Sequence, residues 1–171
     1  GMNIFNPALI ARAFLFFSYP SMMSGDKVWI ANDTIFGLGN KLPDTFTAAT
    51  PLADVAAGTY NACPCDAIIG LIPGSIGDTS VVAIGIGAII LLITGIASWR
   101  TMLSVFLGGA FAGMIFSSLG MTTIEWWEHL ILGGFCFGAV FMATDPVTSC
   151  RTNCGKYVYG LLIGLVAVTV R

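Results

Sequence analysis

A threonine in front of a proline that suits a helix start is the first place where the residue types suggest chemistry. Thr50 precedes Pro51, and the run from there to Gly58 is compatible with a short helix. Thr50 is therefore a natural N-cap, which the following proline holds in an extended conformation at the mouth of the helix. A helix N-terminus attracts phosphate, so the hydroxyl could meet a phosphorylated ligand. Taken alone, the pattern favours a purely structural cap.

Asp145 is the second candidate, because an acidic residue between an apolar segment and a helix-breaking proline often marks an ion path. Its alternative role is a helix cap. The same arrangement of a polar residue, a proline and an arginine at a fixed interval occurs twice in the chain. The two copies are Asn6-Pro7 with Arg12 and Asp145-Pro146 with Arg151. Unless the match is a coincidence, it predicts broken helices in a duplicated transporter fold.

Five cysteines and one histidine raise the question of a metal site. Neither Cys63/Cys65 nor Cys150/Cys154 has the C-x-x-C spacing that is typical of zinc or iron–sulfur ligands, so we expect free thiols and no metal. His129 could relay protons, but a polar anchor at the membrane interface is the favoured role. The chain lacks phosphate-binding glycine motifs and a Ser–His–Asp set, and no residue is predicted to be catalytic.

The composition indicates a membrane protein. Of the 171 residues, 9% are charged and 56% are hydrophobic, whereas soluble proteins carry about 25% charged residues. A soluble domain of this size could not bury so much apolar surface in one core. The net charge of −2 gives no basic footprint for a phosphate backbone, which excludes nucleic acid as a partner.

Stretches without Asp, Glu, Lys or Arg predict five membrane segments. They are residues 13–25, 79–99, 101–124, 129–144 and 157–170. The second and third are expected to form a helical hairpin at Arg100, and residues 8–19, between two prolines, suit a half-spanning helix. Three glycine pairs with G-x-x-x-G spacing predict close helix packing. The pairs are Gly109/Gly113, Gly134/Gly138 and Gly160/Gly164.

The charges also predict an orientation. Arg100, Arg151 and Lys156 mark one side, taken as cytoplasmic, while the loop 122–128 lies outside. This topology gives both repeats the same polarity, whereas an inverted duplication demands one further crossing, for which residues 50–73 are the candidate. The sequence thus predicts an all-α integral membrane protein: a polytopic multi-helix bundle with broken or re-entrant helices from a duplicated half-repeat.

The chain is expected to be one transmembrane domain over residues 1–171. Residues 24–77 form a polar loop, with a re-entrant piece as one alternative. No signal peptide is visible, and both ends suggest that the chain is a fragment of a longer polypeptide.

Five strings in the chain resemble the B subunit of the bacterial sodium-translocating NADH:quinone oxidoreductases. They are GMNIFNPAL (1–9), SGDKVW (24–29), PGSIGDTS (73–80), TGIASWR (94–100) and FMATDPV (141–147). The D subunit of the Rnf complex is related, but the turn 97–100 favours the sodium-pumping quinone reductase. The resemblance implies a bacterial inner-membrane, multi-pass subunit of a translocase. The resemblance further implies that this subunit passes electrons from NADH through flavins to ubiquinone during sodium export and is not an enzyme on its own.

The resemblance also implies a role in cofactor attachment for the loop around Thr50. In the family, a threonine there carries FMN through a phosphoester bond that a separate flavin transferase makes. Here the loop reads Thr47-Ala48-Ala49-Thr50, preceded by Asp44, and Ala48 replaces the usual glycine.

Further ligands and partners follow from the same resemblance. It implies non-covalent riboflavin, a contribution to the ubiquinone site, and contacts with lipid and with the other subunits of a multisubunit complex. The alternatives are a flavin-free channel or transporter, or a structural docking subunit, on the same scaffold.

Overall fold

The computed structural model describes residues 5–23, 68–70, 79–120, 124–132 and 134–170, and every regular element within these ranges is helical. The first four helices are α1 (Pro7–Ser18), α2 (Pro20–Met23), α3 (Val81–Ile93) and α4 (Trp99–Ser118). They are followed by α5 (Glu128–Ile131), α6 (Phe135–Phe137), the π-helix π1 (Gly138–Met142) and α7 (Asn153–Thr169). The all-helical prediction is confirmed for the described part of the chain.

Among the described helices, only α4, with 20 residues, is both long and apolar enough to cross a membrane. The helices α1, α3 and α7 are apolar but shorter, with 12, 13 and 17 residues. At about 1.5 Å per residue they reach roughly 18–26 Å, less than the ~30 Å of a bilayer core. The count of five membrane segments therefore stays a prediction.

The predicted hairpin at Arg100 differs from the structure in where its turn lies. Helix α3 ends at Ile93, and α4 begins at Trp99, which places Arg100 inside the first turn of α4. The chain leaves α3 at Gly95, whose φ of 70° is a left-handed conformation that glycine adopts without strain. The Ala97 N–H donates back to the Leu91 carbonyl at 3.2 Å and closes the helix end.

A very close backbone approach joins α4 and α7. A Cβ at Gly164 would lie 2.6 Å from the Gly109 nitrogen and would also collide with the Val105 carbonyl oxygen. A Cβ at Gly160 would lie 2.8 Å from the Thr101 carbonyl oxygen. These glycines let the two backbones touch, as predicted for small residues at membrane helix interfaces.

A hydrogen bond between side chain and backbone also ties α4 to α7. The buried Ser104 hydroxyl lies 3.2 Å from the Lys156 carbonyl oxygen and 2.9 Å from the Thr101 carbonyl oxygen of its own helix. Apolar side chains from the interrupted helical region between residues 128 and 145 complete the core on one side of α4. Its buried members include Val105, Ala112, Phe135, Ala139 and Val168.

The third glycine pair has another role. Gly134 has a φ of 73° and ends a helix break, and a Cβ at Gly138 would meet no described atom within 4 Å. The prediction of close packing is therefore wrong at Gly138 within the described residues, and at Gly134 it stays a prediction. The spacing is compatible with packing, but the left-handed backbone at residue 134 is the stronger reason for a glycine there.

Candidate functional site

The segment predicted as the fourth crossing, residues 129–144, is an interrupted helix. Its first part, α5, ends at Ile131, and the next residue, Leu132, has an extended backbone. The chain restarts at α6 and runs directly into π1, where the Ala143 N–H donates to the Gly138 carbonyl at 2.8 Å, five residues back. Short π-helical turns are frequent at functional sites. The interruption lies inside a stretch that was predicted as a single crossing, and the broken or re-entrant helices predicted for the duplicated fold stay a prediction.

Asp145 lies where this interrupted helix ends. One carboxylate oxygen accepts the Val147 N–H at 3.2 Å, and the other accepts the Thr148 hydroxyl at 2.8 Å. Its carbonyl accepts the Ser149 N–H at 3.0 Å. The side chain therefore organises the turn over residues 146–148, which is a local structural role, although no helix begins there for it to cap. The carboxylate is half-buried, and its place at a helix break keeps the ion-path prediction open to test.

The two sequence repeats share their first turn and then diverge. The Asn6 side-chain oxygen accepts the Ala8 N–H at 2.9 Å, two residues ahead, as Asp145 accepts from Val147. Beyond Asn6 the chain continues as α1, which contains Arg12.

Beyond Asp145 no helix begins at the proline, in contrast to α1, which begins at Pro7. A turn follows, and α7 begins only at Asn153, because Thr152 caps it by accepting the Gly155 N–H at 3.2 Å. Arg151 consequently lies in the loop before the helix, whereas Arg12 lies inside one.

An apolar cavity of about 350 Å³ lies beside π1 and α7. Its volume is within the roughly 300–1,000 Å³ of small-molecule sites. It is lined mainly by aliphatic side chains and by the open face of Gly138, and the phenol of Tyr159 supplies its polar group. Tyr159 is also within electrostatic reach of Asp145. Such a cavity can hold an apolar ring or chain, and no spacing in the sequence singles out Tyr159.

The predicted flavin-attachment residues lie outside the described residues. They are Asp44, Thr47, Ala48, Ala49 and Thr50, and Cys63 and Cys65 are outside as well. The described cysteines are the buried Cys136, whose thiol donates to the Leu130 carbonyl at 3.1 Å, together with Cys150 and Cys154. Within the described ranges, no group of three or more His, Cys, Asp or Glu side chains could hold a metal.

His129 differs from its prediction as an interface anchor. It lies in the one-turn helix α5 and is only 5% exposed. The neighbouring Glu128 carboxylate accepts the Glu125 N–H at 3.0 Å, and a Cβ at Gly113 of α4 would lie 3.0 Å from the Trp126 carbonyl oxygen. The turn that carries His129 is therefore packed onto α4, which buries the imidazole within the protein.

Comparison with known proteins gives matches along the whole chain. The sequence model described as the NQR2, RnfD, RnfE family matches residues 1–171. The chain is 48% identical over 181 residues to the B subunit of the Na(+)-translocating NADH-quinone reductase of Chromohalobacter salexigens. The proteins of the same name from Ectopseudomonas mendocina and Azotobacter vinelandii are 44% and 42% identical over 182 residues. All of this chain is covered in each case, but it spans only 41–42% of the relatives' lengths.

Proposed function

Because the chain belongs to the NQR2, RnfD, RnfE family, we propose that it works as part of the B subunit of a sodium-translocating NADH-quinone reductase. In this role it contributes to electron transfer from NADH to ubiquinone and to the coupled export of sodium across the bacterial inner membrane. The observation that carries the proposal is the match of the entire chain, at 42–48% identity, to relatives with that name.

The described helices support a multi-pass arrangement in this role. One of them is long enough to span a bilayer, and three shorter apolar helices accompany it. The interruption between α5 and α6, followed by π1, resembles the discontinuous helices with which secondary transporters build ion sites. This observation also favours the second candidate function, a flavin-free transporter on the same scaffold.

We further propose that Thr50 carries FMN as a phosphoester, with Thr47, Ala48, Ala49 and Asp44 forming the sequence that a flavin transferase recognises. The flavin would supply one- and two-electron chemistry, while the chain would set its position and electrostatic surroundings. Riboflavin, the ubiquinone site and the contacts with the other subunits belong to the same proposal.

A chimeric subunit tests the proposed function directly. Residues 1–171 replace the matching segment of the Chromohalobacter salexigens protein, the complex is purified, and NADH-driven ²²Na⁺ uptake is measured in proteoliposomes. We expect uptake together with quinone reduction. A chimera that assembles and is stable, but neither reduces quinone nor takes up sodium, would contradict the proposal. Sodium passage without flavin or NADH would instead support the transporter alternative.

Replacing Asp145 tests whether its charge serves an ion path or only the turn. Asp145→Asn keeps an oxygen that can accept the Val147 N–H but removes the charge. For an ion-path role we expect the sodium concentration for half-maximal quinone reduction to rise about tenfold, equivalent to ~1.4 kcal/mol. Thr148→Val, which removes the hydroxyl that donates to Asp145 and leaves the Asp145 charge, is the matched control and should keep the parent sodium dependence. A role as cap alone predicts parent-like sodium dependence for Asp145→Asn as well.

A further inference from the structure

A polar cavity of about 380 Å³ lies at one end of the described bundle. Its walls come from the connection between α3 and α4, the turn after π1, and the start of α7. Three cationic side chains and three hydroxyl side chains contribute to its lining. They are Arg100, Arg151 and Lys156, and Ser98, Thr144 and Ser149. We call this cavity the basic pocket.

The positive charge of the basic pocket is uncompensated within the described part of the chain. Among the described residues, no carboxylate lines the pocket, and none of the three cations forms an ion pair with a described residue. The Arg100 guanidinium lies 5.6 Å from the centre of the Trp99 ring. Arg100 and Lys156 are both half-buried, so part of their hydration is lost without a counter-charge to replace it.

Asp145 lies between two lining residues in the sequence, but its carboxylate is already engaged. It accepts the Val147 N–H and the Thr148 hydroxyl on the adjoining turn. It keeps its negative charge, but it is not among the residues that line the pocket. Three positive charges facing one space also oppose the entry of sodium, so the pocket does not fit the cation path of the proposed pump.

The remaining lining groups suit an oxyanion. The pocket includes Ser98, Trp99 and Arg100, the N-cap and first turn of the 20-residue helix α4, whose N–H groups favour negative charge. The Ser98 hydroxyl makes no capping bond to its own helix, and it accepts a hydrogen bond from the Thr101 hydroxyl at 3.3 Å. Its own proton is thus available to a ligand. Ser149 places a further hydroxyl, 6% exposed, in the wall, whereas the Thr144 hydroxyl already donates to the Val140 carbonyl.

We propose that the basic pocket binds the phosphate group of an anionic ligand. The guanidinium group of arginine, which can donate two parallel hydrogen bonds, and the ammonium group of lysine are the usual partners of phosphate oxygens. Basic pockets between membrane helices bind anionic lipid head groups. The volume exceeds that of one phosphate, so part of a head group or of a small phosphomonoester fits beside it. The residues of this site differ from those of the proposed flavin-attachment sequence, Asp44 to Thr50.

The purified complex that contains the full-length chimeric subunit provides the test. Its Tm is followed in micelles of an uncharged detergent. One series is titrated with phosphatidylglycerol and a second series with inorganic phosphate. Potassium chloride at matched ionic strength controls for screening. Stabilisation by phosphatidylglycerol alone identifies a lipid head group as the ligand, and stabilisation by millimolar phosphate identifies a soluble one. No shift with either probe would overturn the proposal.

Variants that each remove one positive charge test whether the change in Tm arises from binding at the basic pocket. Arg151→Gln and Lys156→Gln should each raise the half-saturating concentration of the effective probe about tenfold, as expected for losing one charge-assisted hydrogen bond. Arg12→Gln removes the same charge from α1, away from the pocket, and should respond like the parent. An equal response in all three variants would contradict the assignment. If Lys156→Gln lowers the Tm before any ligand is added, Arg151→Gln, at an exposed position, carries the test alone.

Discussion

Replacing Thr50 with valine is expected to abolish covalent flavin on the full-length chimeric subunit. Valine has nearly the shape of threonine but lacks the hydroxyl oxygen that the phosphoester requires. The measurement is the in-gel fluorescence of the denatured subunit under ultraviolet light, followed by mass spectrometry of the peptide that contains residue 50. We expect the parent peptide to carry the mass of FMN and the variant peptide to be unmodified, with quinone reduction lost.

Thr59→Val is the matched control for this experiment. It removes a hydroxyl from the same polar loop, nine residues after Thr50 and outside the proposed recognition sequence, and we expect flavin to remain on Thr50. The complex should assemble in both variants, which separates loss of the cofactor from loss of folding. An unmodified parent peptide, from cells that contain the flavin transferase, would contradict the site assignment and show that Ala48 is not tolerated. Flavin found on Thr47 would contradict the assignment to Thr50 as well.

The helical class of the protein was predictable because it depends on composition. Long stretches without charge are compatible with few structures other than membrane helices. The pairing of α4 with α7 was also predictable in part from Gly160 and Gly164, because small residues four apart leave one helix face free for a neighbour. The described contact between α4 and α7 confirms that these glycines lie at a helix–helix interface.

The breaks within the apolar stretches were harder to predict. Gly95 follows the end of α3 and Gly134 precedes the start of α6, both with a positive φ, but neither differs in hydropathy from glycines that continue a helix. The π-turn at Gly138–Met142 depends on a hydrogen-bond shift of one residue, for which local sequence carries no periodic signal. A run without charges therefore predicted one crossing at 129–144, where the structure has an interruption.

The residues of the candidate sites were also predictable only in part. Charge counting predicted that Arg100, Arg151 and Lys156 lie on one side, and the structure brings all three to a single pocket. The hydroxyls of Thr144 and Ser149 join them only because the chain turns after π1, and this turn depends on Asp145. Tyr159 was missed because one tyrosine in an apolar helix resembles any packing aromatic. Local motifs therefore identified Asp145 as a candidate site residue. Only the tertiary structure determines which residues lie around it.

Replacing Gly164 with alanine is expected to have the second largest effect, because a single methyl group would collide with the backbone of α4. Its Cβ would contact the Val105 carbonyl oxygen, would lie 2.6 Å from the Gly109 nitrogen, and would lie 3.0 Å from the Gly108 carbonyl carbon. Backbone atoms cannot rotate away as a side chain can, so the helices must separate and lose the packing along their whole contact. We expect a loss of about 3 kcal/mol, the upper end for overpacked sites.

The thermal midpoint of the full-length chimeric subunit in its complex, followed by fluorescence-detected size exclusion, measures this effect. Gly85→Ala in α3 is the matched control, since its Cβ would meet no described atom within 4 Å. There, alanine should leave the midpoint unchanged or raise it, because glycine inside a helix costs roughly 0.5–1 kcal/mol relative to alanine. Equal midpoints for the two variants would mean that α4 and α7 do not pack through Gly164. A lower midpoint for Gly164→Ala alone would show that this contact holds α4 and α7 together and so keeps Arg100 and Lys156 in the lining of one cavity.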